Sequence, residues 1–231
     1  MRVLPVGPRR ERGFTLVEIA IVLVIIGLLL GGILKGQEMI TQARIKNAVN
    51  DFNGITAAYF AYQDRYKAVA GDDPNGGSRW NAFGAKGGTG NGRIGGTYNM
   101  PVVSPLTLDP SKDEAHEALN FWWHMRLAGF VAGPTSGNGA TTQPNNAVGG
   151  LIGVQTGGLG LPGLIVCSSG IPDKIAAAVD TQLDDQKSQS GTMRAMEQVS
   201  SADVATNSTQ AAAASSFQET GAKQYVLCKA I

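Results

Sequence analysis

The chain has 231 residues, of which 43% are hydrophobic and 16% charged, with 19 basic and 18 acidic residues giving a formal net charge of +1. That length accommodates one domain or two small ones. The charge balance, with no basic run beyond Arg9-Arg10, excludes a nucleic-acid electrostatic footprint, and 31 glycines without a Gly-X-Y period exclude collagen. Two cysteines are too few for a zinc cluster or a disulfide-dense scaffold and enough for one bridge.

The first element is apolar. Residues 14–34, FTLVEIAIVLVIIGLLLGGIL, form a run of 21 residues with a single ionisable group, Glu18. As a helix this run is about 31 Å long, enough to cross a bilayer core. Arg2, Arg9, Arg10 and Arg12 precede it against one acid, Glu11, so the positive-inside rule keeps this end cytoplasmic and places everything after Lys35 outside. A secretory signal peptide or an uncleaved anchor would also show a basic start and an apolar stretch. The run is longer than a signal-peptide core, however, and no small-x-small cleavage site follows it.

Neither alternative accounts for Glu18. A carboxylate at bilayer depth costs a few kcal/mol and calls for a partner. Cleavage between Gly13 and Phe14 would create an α-ammonium one helical turn from Glu18. It would also remove the basic leader, leaving 15 basic and 17 acidic residues and a net charge of −2.

The string Arg12-Gly13-Phe14-Thr15-Leu16-Val17-Glu18, after a short basic leader and before a long apolar helix, resembles the class III signal of type IV pilins and of the pseudopilins of type II secretion. The resemblance covers roughly the first 35 residues. It implies that prepilin peptidase cuts after Gly13, that Phe14 is N-methylated, and that Glu18 pairs with the terminal amine of a neighbouring subunit during assembly. The implied partners are other pilin-like subunits in a helical filament, the peptidase, an inner-membrane assembly platform and the lipid bilayer. The implied location is the bacterial inner membrane as a single-pass protein with a periplasmic head, then a cell-surface pilus or a periplasmic pseudopilus. Many major pilins carry a proline at the position of Lys35; here no proline occurs between Pro8 and Pro74, and Gly31, Gly32 and Gly36 are the candidates for helix softness. A monomeric membrane-anchored adhesin or binding protein is the other class of function considered.

Helical periodicity continues past the membrane segment. Ile40, Ile45, Val49, Phe52, Ile55, Tyr59, Tyr62 and Tyr66 recur mostly three or four apart, with polar residues between them. One helix is expected from Phe14 to about Tyr66, stopped by Gly71 and Pro74, with the tyrosine stripe serving as core. Residues 71–105 hold ten glycines and read as a surface loop region. A second helix is expected from Asp113 to Ala128 with Ser111 as its N-cap, and its adjacent Trp122 and Trp123 as one core and one rim residue. Leu164–Cys167, Thr192–Ala195 and Tyr225–Ile231 read as strands, Pro172–Leu183 as a short helix, and the Ser/Ala/Thr stretch Ser200–Ser216 as mobile. The expected organisation is a cleaved leader at 1–13, a membrane and assembly helix at 14–34, its amphipathic continuation at 35–70, and a head at 71–231. The expected fold class is α+β, the long helix packed on a small antiparallel sheet.

The remaining chemical motifs support no enzyme. Gly-x-Gly-x-x-Gly occurs at Gly90–Gly95 and Gly158–Gly163, but neither leaves a strand and opens a helix, so both read as turns rather than phosphate cradles. His116 and His124 have no ligand partner at zinc spacing, and Ser168-Ser169 has no identifiable base. Asp72 and Asp73 open an oxygen-rich loop with Asn75, Asn81 and Asn91, the composition of a loop able to wrap calcium, although Gly88–Gly92 lacks alternating acids. No cofactor is expected apart from calcium at that loop. Cys167 and Cys228, the only cysteines of an exported chain, are expected to form a disulfide enclosing 60 residues; two buried free thiols are the alternative.

Overall fold

A computed structural model describes residues 13–102, 104, 107, 109, 111, 114–200 and 217–231. The leader residues 1–12 and the stretch 201–216 lie outside the described residues. Two compact units divide at Gln42 and Ala43.

Helix α1 spans Leu16–Tyr66 without a break. From Leu16 to Leu34 its side chains, Glu18 apart, are apolar all round and exposed, including Leu16, Val17, Ile21, Leu23, Leu28 and Leu34. A helix with such a surface is stable where lipid or other helices cover it, because all its backbone groups are satisfied internally. It runs straight through Gly31, Gly32 and Gly36, where a Cβ would meet nothing within 4 Å. Ile40 is exposed as well, so the buried stripe starts later than the periodicity suggests, at Ile45.

The second unit is built around that stripe. Ile45, Ala48, Phe52, Ile55, Ala58, Tyr59 and Tyr62 of α1 join one apolar cluster with Phe121, Trp122 and Met125. These come from α3, Glu117–Leu127, which follows the short α2 at Gly76–Arg79. The same cluster takes one face of a four-stranded antiparallel sheet of order β1-β2-β4-β3. The strands are β1 Ile152–Gly158, β2 Leu161–Pro172, β3 Met193–Glu197 and β4 Gln224–Ala230, with α4, Asp173–Leu183, between β2 and β3. Side chains alternate across the pleat. Val166 of β2 and Leu227 of β4 therefore enter the helix-facing core, while Ile165, Cys167, Val226 and Cys228 pack on the other face with Tyr98, Leu159 and Leu161.

The β1–β2 hairpin turns at Leu159 and Gly160, whose φ values of 51° and 76° are the left-handed pair a two-residue primed turn requires. The second Gly-x-Gly-x-x-Gly is thus a hairpin, as expected of a turn. Both sheet edges are covered by the chain itself. On the β3 edge the Met193 amide donates to Asp184 Oδ2 at 2.7 Å and the Ala195 amide to the Ser188 carbonyl at 2.8 Å. On the β1 edge the Thr156 amide donates to the Ile94 carbonyl and Ile152 to that of Pro144.

Three expectations change. Ser111 does not cap α3: its hydroxyl donates to Asp109, and a 3-10 turn at Glu114–His116 leads into the helix. Trp122 and Trp123 are both buried, because α3 lies between the main core and a second cluster of Ala85, Leu119, Trp123 and Ala140. The segment 71–105 is more than surface loop, since Ile94 and Tyr98 are buried and α2 and a 3-10 turn at Asn81–Phe83 give it structure. Polar side chains of α3 hold these glycine-rich stretches in place. Arg126 donates to the carbonyls of Gly139, Ala140 and Thr142 at 2.6–2.9 Å, and Asn120 to that of Gly71 at 2.8 Å. Buried carbonyls need such partners, and each one left unmet would cost about 1–3 kcal/mol.

Candidate functional site

The N-terminal segment places its polar groups together. Gly13, Phe14 and Thr15 precede the first helical turn and are exposed, with Phe14 82% exposed. Thr15 and Glu18 form a reciprocal cap. The Thr15 amide and hydroxyl both donate to Glu18 Oε2 at 2.8 Å, and the Glu18 amide donates back to Thr15 Oγ1 at 3.3 Å. This is a capping box, which satisfies donors that an α-helix leaves open at its start and sets a carboxylate near the positive end of the helix dipole. Thr15 is the site residue that the cleavage motif alone does not single out. Its signal was present as a threonine three residues before a glutamate at the head of an apolar run.

Beyond Glu18 the helix offers no further charge until Lys35, which pairs with Glu38 at 3.0 Å. The most apolar 18-residue window of α1 has a mean hydropathy of 2.8 and no buried residue. The site is therefore a long apolar cylinder with one carboxylate at its tip, adjacent to an accessible Gly13–Phe14 bond.

The other singled-out residues lie in the second unit. Cys167 and Cys228 face each other across β2 and β4 and are joined by a disulfide. Asp72 and Asp73 are buried, and their oxygens are occupied by protein donors. Asp72 Oδ1 accepts from the amides of Gly90 and Asn91 and the hydroxyl of Thr89, and Oδ2 from the amide of Gly92. The first Gly-x-Gly-x-x-Gly does cradle an anion, but that anion is the chain's own carboxylate. Asp73 pairs with Arg79 and accepts from the Tyr62 hydroxyl at 2.8 Å. Burial pushes Asp73 up, and the bonds from Arg79 and Tyr62 outweigh it, holding the carboxyl below its usual range. With these donors on both groups, Asp72 and Asp73 act here as structural anchors of the loop.

His124 is buried beside them. Its Nδ1 accepts from the Gly71 amide at 3.1 Å and its Nε2 lies 2.8 Å from the Lys86 carbonyl, the pattern of a neutral ring protonated at Nε2. Burial pushes its pKa down to about 4. Glu117, also buried, receives the Thr89 and Gly95 amides, and burial with the neighbouring Asp72 charge holds it above its ordinary value. His116 and His124 are not brought together with any acid or thiol as a zinc set among the described residues.

The prokaryotic N-terminal methylation motif matches residues 8–34, the segment containing the Gly13–Phe14 bond, the Thr15–Glu18 cap and the apolar run. This motif is the signature of type IV pilins and pseudopilins, and the chain carries it together with the long apolar helix that accompanies it. No curated protein and no solved structure matches the chain. The motif supports a pilin-like subunit processed by prepilin peptidase, and it is consistent with membrane anchoring.

Proposed function

We propose that this protein is a structural subunit of a type IV filament. Prepilin peptidase removes residues 1–13 on the cytoplasmic side, the new amine of Phe14 is methylated, and the apolar part of α1 holds the subunit in the inner membrane with its head in the periplasm. Subunits then pass from lipid into a helical bundle in which these helices bury one another. Glu18 exchanges part of its contact with Thr15 for the terminal amine of a neighbour, which selects one register. The observation that carries this reading is a fully exposed apolar helix bearing one capped carboxylate within the methylation motif. The geometry of assembly follows from energetics: an acid that costs a few kcal/mol in hydrocarbon gains most by meeting a cation inside a helix bundle.

Mass spectrometry of the mature chain tests the processing step. A terminus at N-methylated Phe14 is expected. An intact Met1, or a cut beyond Leu34, overturns the proposal.

A further inference from the structure

We propose that Asp180, Asp184 and Asp185, at the C-terminal end of α4, bind a single divalent cation of the calcium class. Each of the three carboxylates places an oxygen within 4.8 Å of the others. A cation with oxygen ligands at about 2.4 Å bridges that span, whereas magnesium, with bonds of about 2.0–2.1 Å, requires a tighter and more regular set.

A second observation separates this cluster from an ordinary acidic turn. Asp180 is fully buried and its Oδ2 has no hydrogen-bond partner. Its Oδ1 receives only the Gln186 amide, at 3.2 Å. A buried carboxylate oxygen without a donor, beside two further carboxylates, calls for a cation or a proton.

The surrounding chain supplies the frame. Asp184 is held by the Met193 amide at 2.7 Å. Asp185 accepts the Lys187 amide at 3.0 Å and the Ser190 hydroxyl at 2.6 Å. These donors are neutral, and the cation acting on the cluster from its own loop is Lys187, through Asp185. Gly191 allows the close approach: a Cβ there would lie 1.9 Å from Asp184 Oδ2. A metal at this point ties the end of α4 to the start of β3. The inference stands independently of filament assembly, and its site is separate from Asp72 and Asp73.

Isothermal titration of CaCl2 into the full-length chain, purified in nonionic detergent and stripped with EGTA, tests it. One ion per chain is expected, with a Kd on the order of 10⁻⁴ M, typical of extracellular modules. MgCl2 should bind at least tenfold more weakly. Asp185→Asn, at an exposed position, should weaken calcium binding at least tenfold while the circular dichroism stays unchanged, and Asp180→Asn should abolish it. If Asp180→Asn fails to fold, Asp185→Asn still decides. No binding heat from the folded chain at about 10 mM CaCl2 overturns the proposal. So does an affinity unaltered by Asp185→Asn, which would place any bound ion elsewhere.

Discussion

Replacing both Cys167 and Cys228 with Ala gives the sharpest test of how the head is held together. The two residues are direct partners on β2 and β4, the central strands of the sheet, and are 61 residues apart in sequence. The chain between them includes α4 and β3, so the cross-link closes a loop containing both. Loop-closure entropy for that separation is about 14 cal/mol/K, or about 4 kcal/mol at 25 °C. Both sulfurs are also buried among Tyr98, Leu159, Leu161, Ile165 and Val226, and losing each removes roughly 1 kcal/mol of packing. The double variant should therefore be about 4–6 kcal/mol less stable, a large part of the 5–15 kcal/mol typical of a domain. Urea unfolding of the full-length chain in detergent, followed by the fluorescence of Trp80, Trp122 and Trp123, measures this directly. All three tryptophans belong to the head. The slope against urea should rise, because the uncrosslinked unfolded chain exposes more surface. A loss below about 1.5 kcal/mol with an unchanged slope would refute the loop-closure reasoning.

Acidification tests His124. Its folded pKa of about 4 lies below its ordinary 6.5, so its contribution is complete above pH 6.5 and is lost as pH falls towards 4, by up to about 3 kcal/mol. Asp180, raised to about 6 by burial, acts oppositely: its contribution is present below pH 3.8 and lost as pH rises through 6. In EGTA, an Asp180→Asn chain should lose more stability between pH 7 and pH 4.5 than the wild type; equal losses in chemical denaturation contradict the assignment. Glu18→Ala should leave leader cleavage intact and reduce the subunit's recovery in sheared filaments at least tenfold, scored by immunoblot. Wild-type recovery would remove Glu18 from assembly.

The N-terminal segment through α1 was legible because its chemistry is local. An apolar run, a basic start and one acid are one-dimensional features, and the uninterrupted α1 follows from them. The strand at Leu164–Cys167 was legible as a β-branched, apolar core of what is in fact the longer β2, Leu161–Pro172. Its partner β1 was hidden, since Gly157 and Gly158 carry no side chain to set an alternation, and the register shifts there. The glycine-rich segments were read as surface for a related reason. What orders them is not their own composition but distant groups: Asp72 receiving three successive amides, and Arg126 reaching three carbonyls. Such side-chain-to-backbone contacts leave no period in the sequence. Both tryptophans of α3 are buried because the helix is covered on two sides, a property of its neighbours that its own residues do not encode.

The covered sheet edges have a consequence for the filament proposed above. An open strand edge is adhesive, because its unpaired amides and carbonyls will accept a strand from any neighbouring chain. In such a filament the heads would be crowded at high local concentration, and an adhesive edge would fuse them sideways regardless of register. Here Asp184 and the Ser188 carbonyl occupy the β3 edge, and the Ile94 and Pro144 carbonyls that of β1. With both edges occupied, strand addition between heads would be blocked, and in the proposed assembly the apolar helices would be left to set how subunits stack.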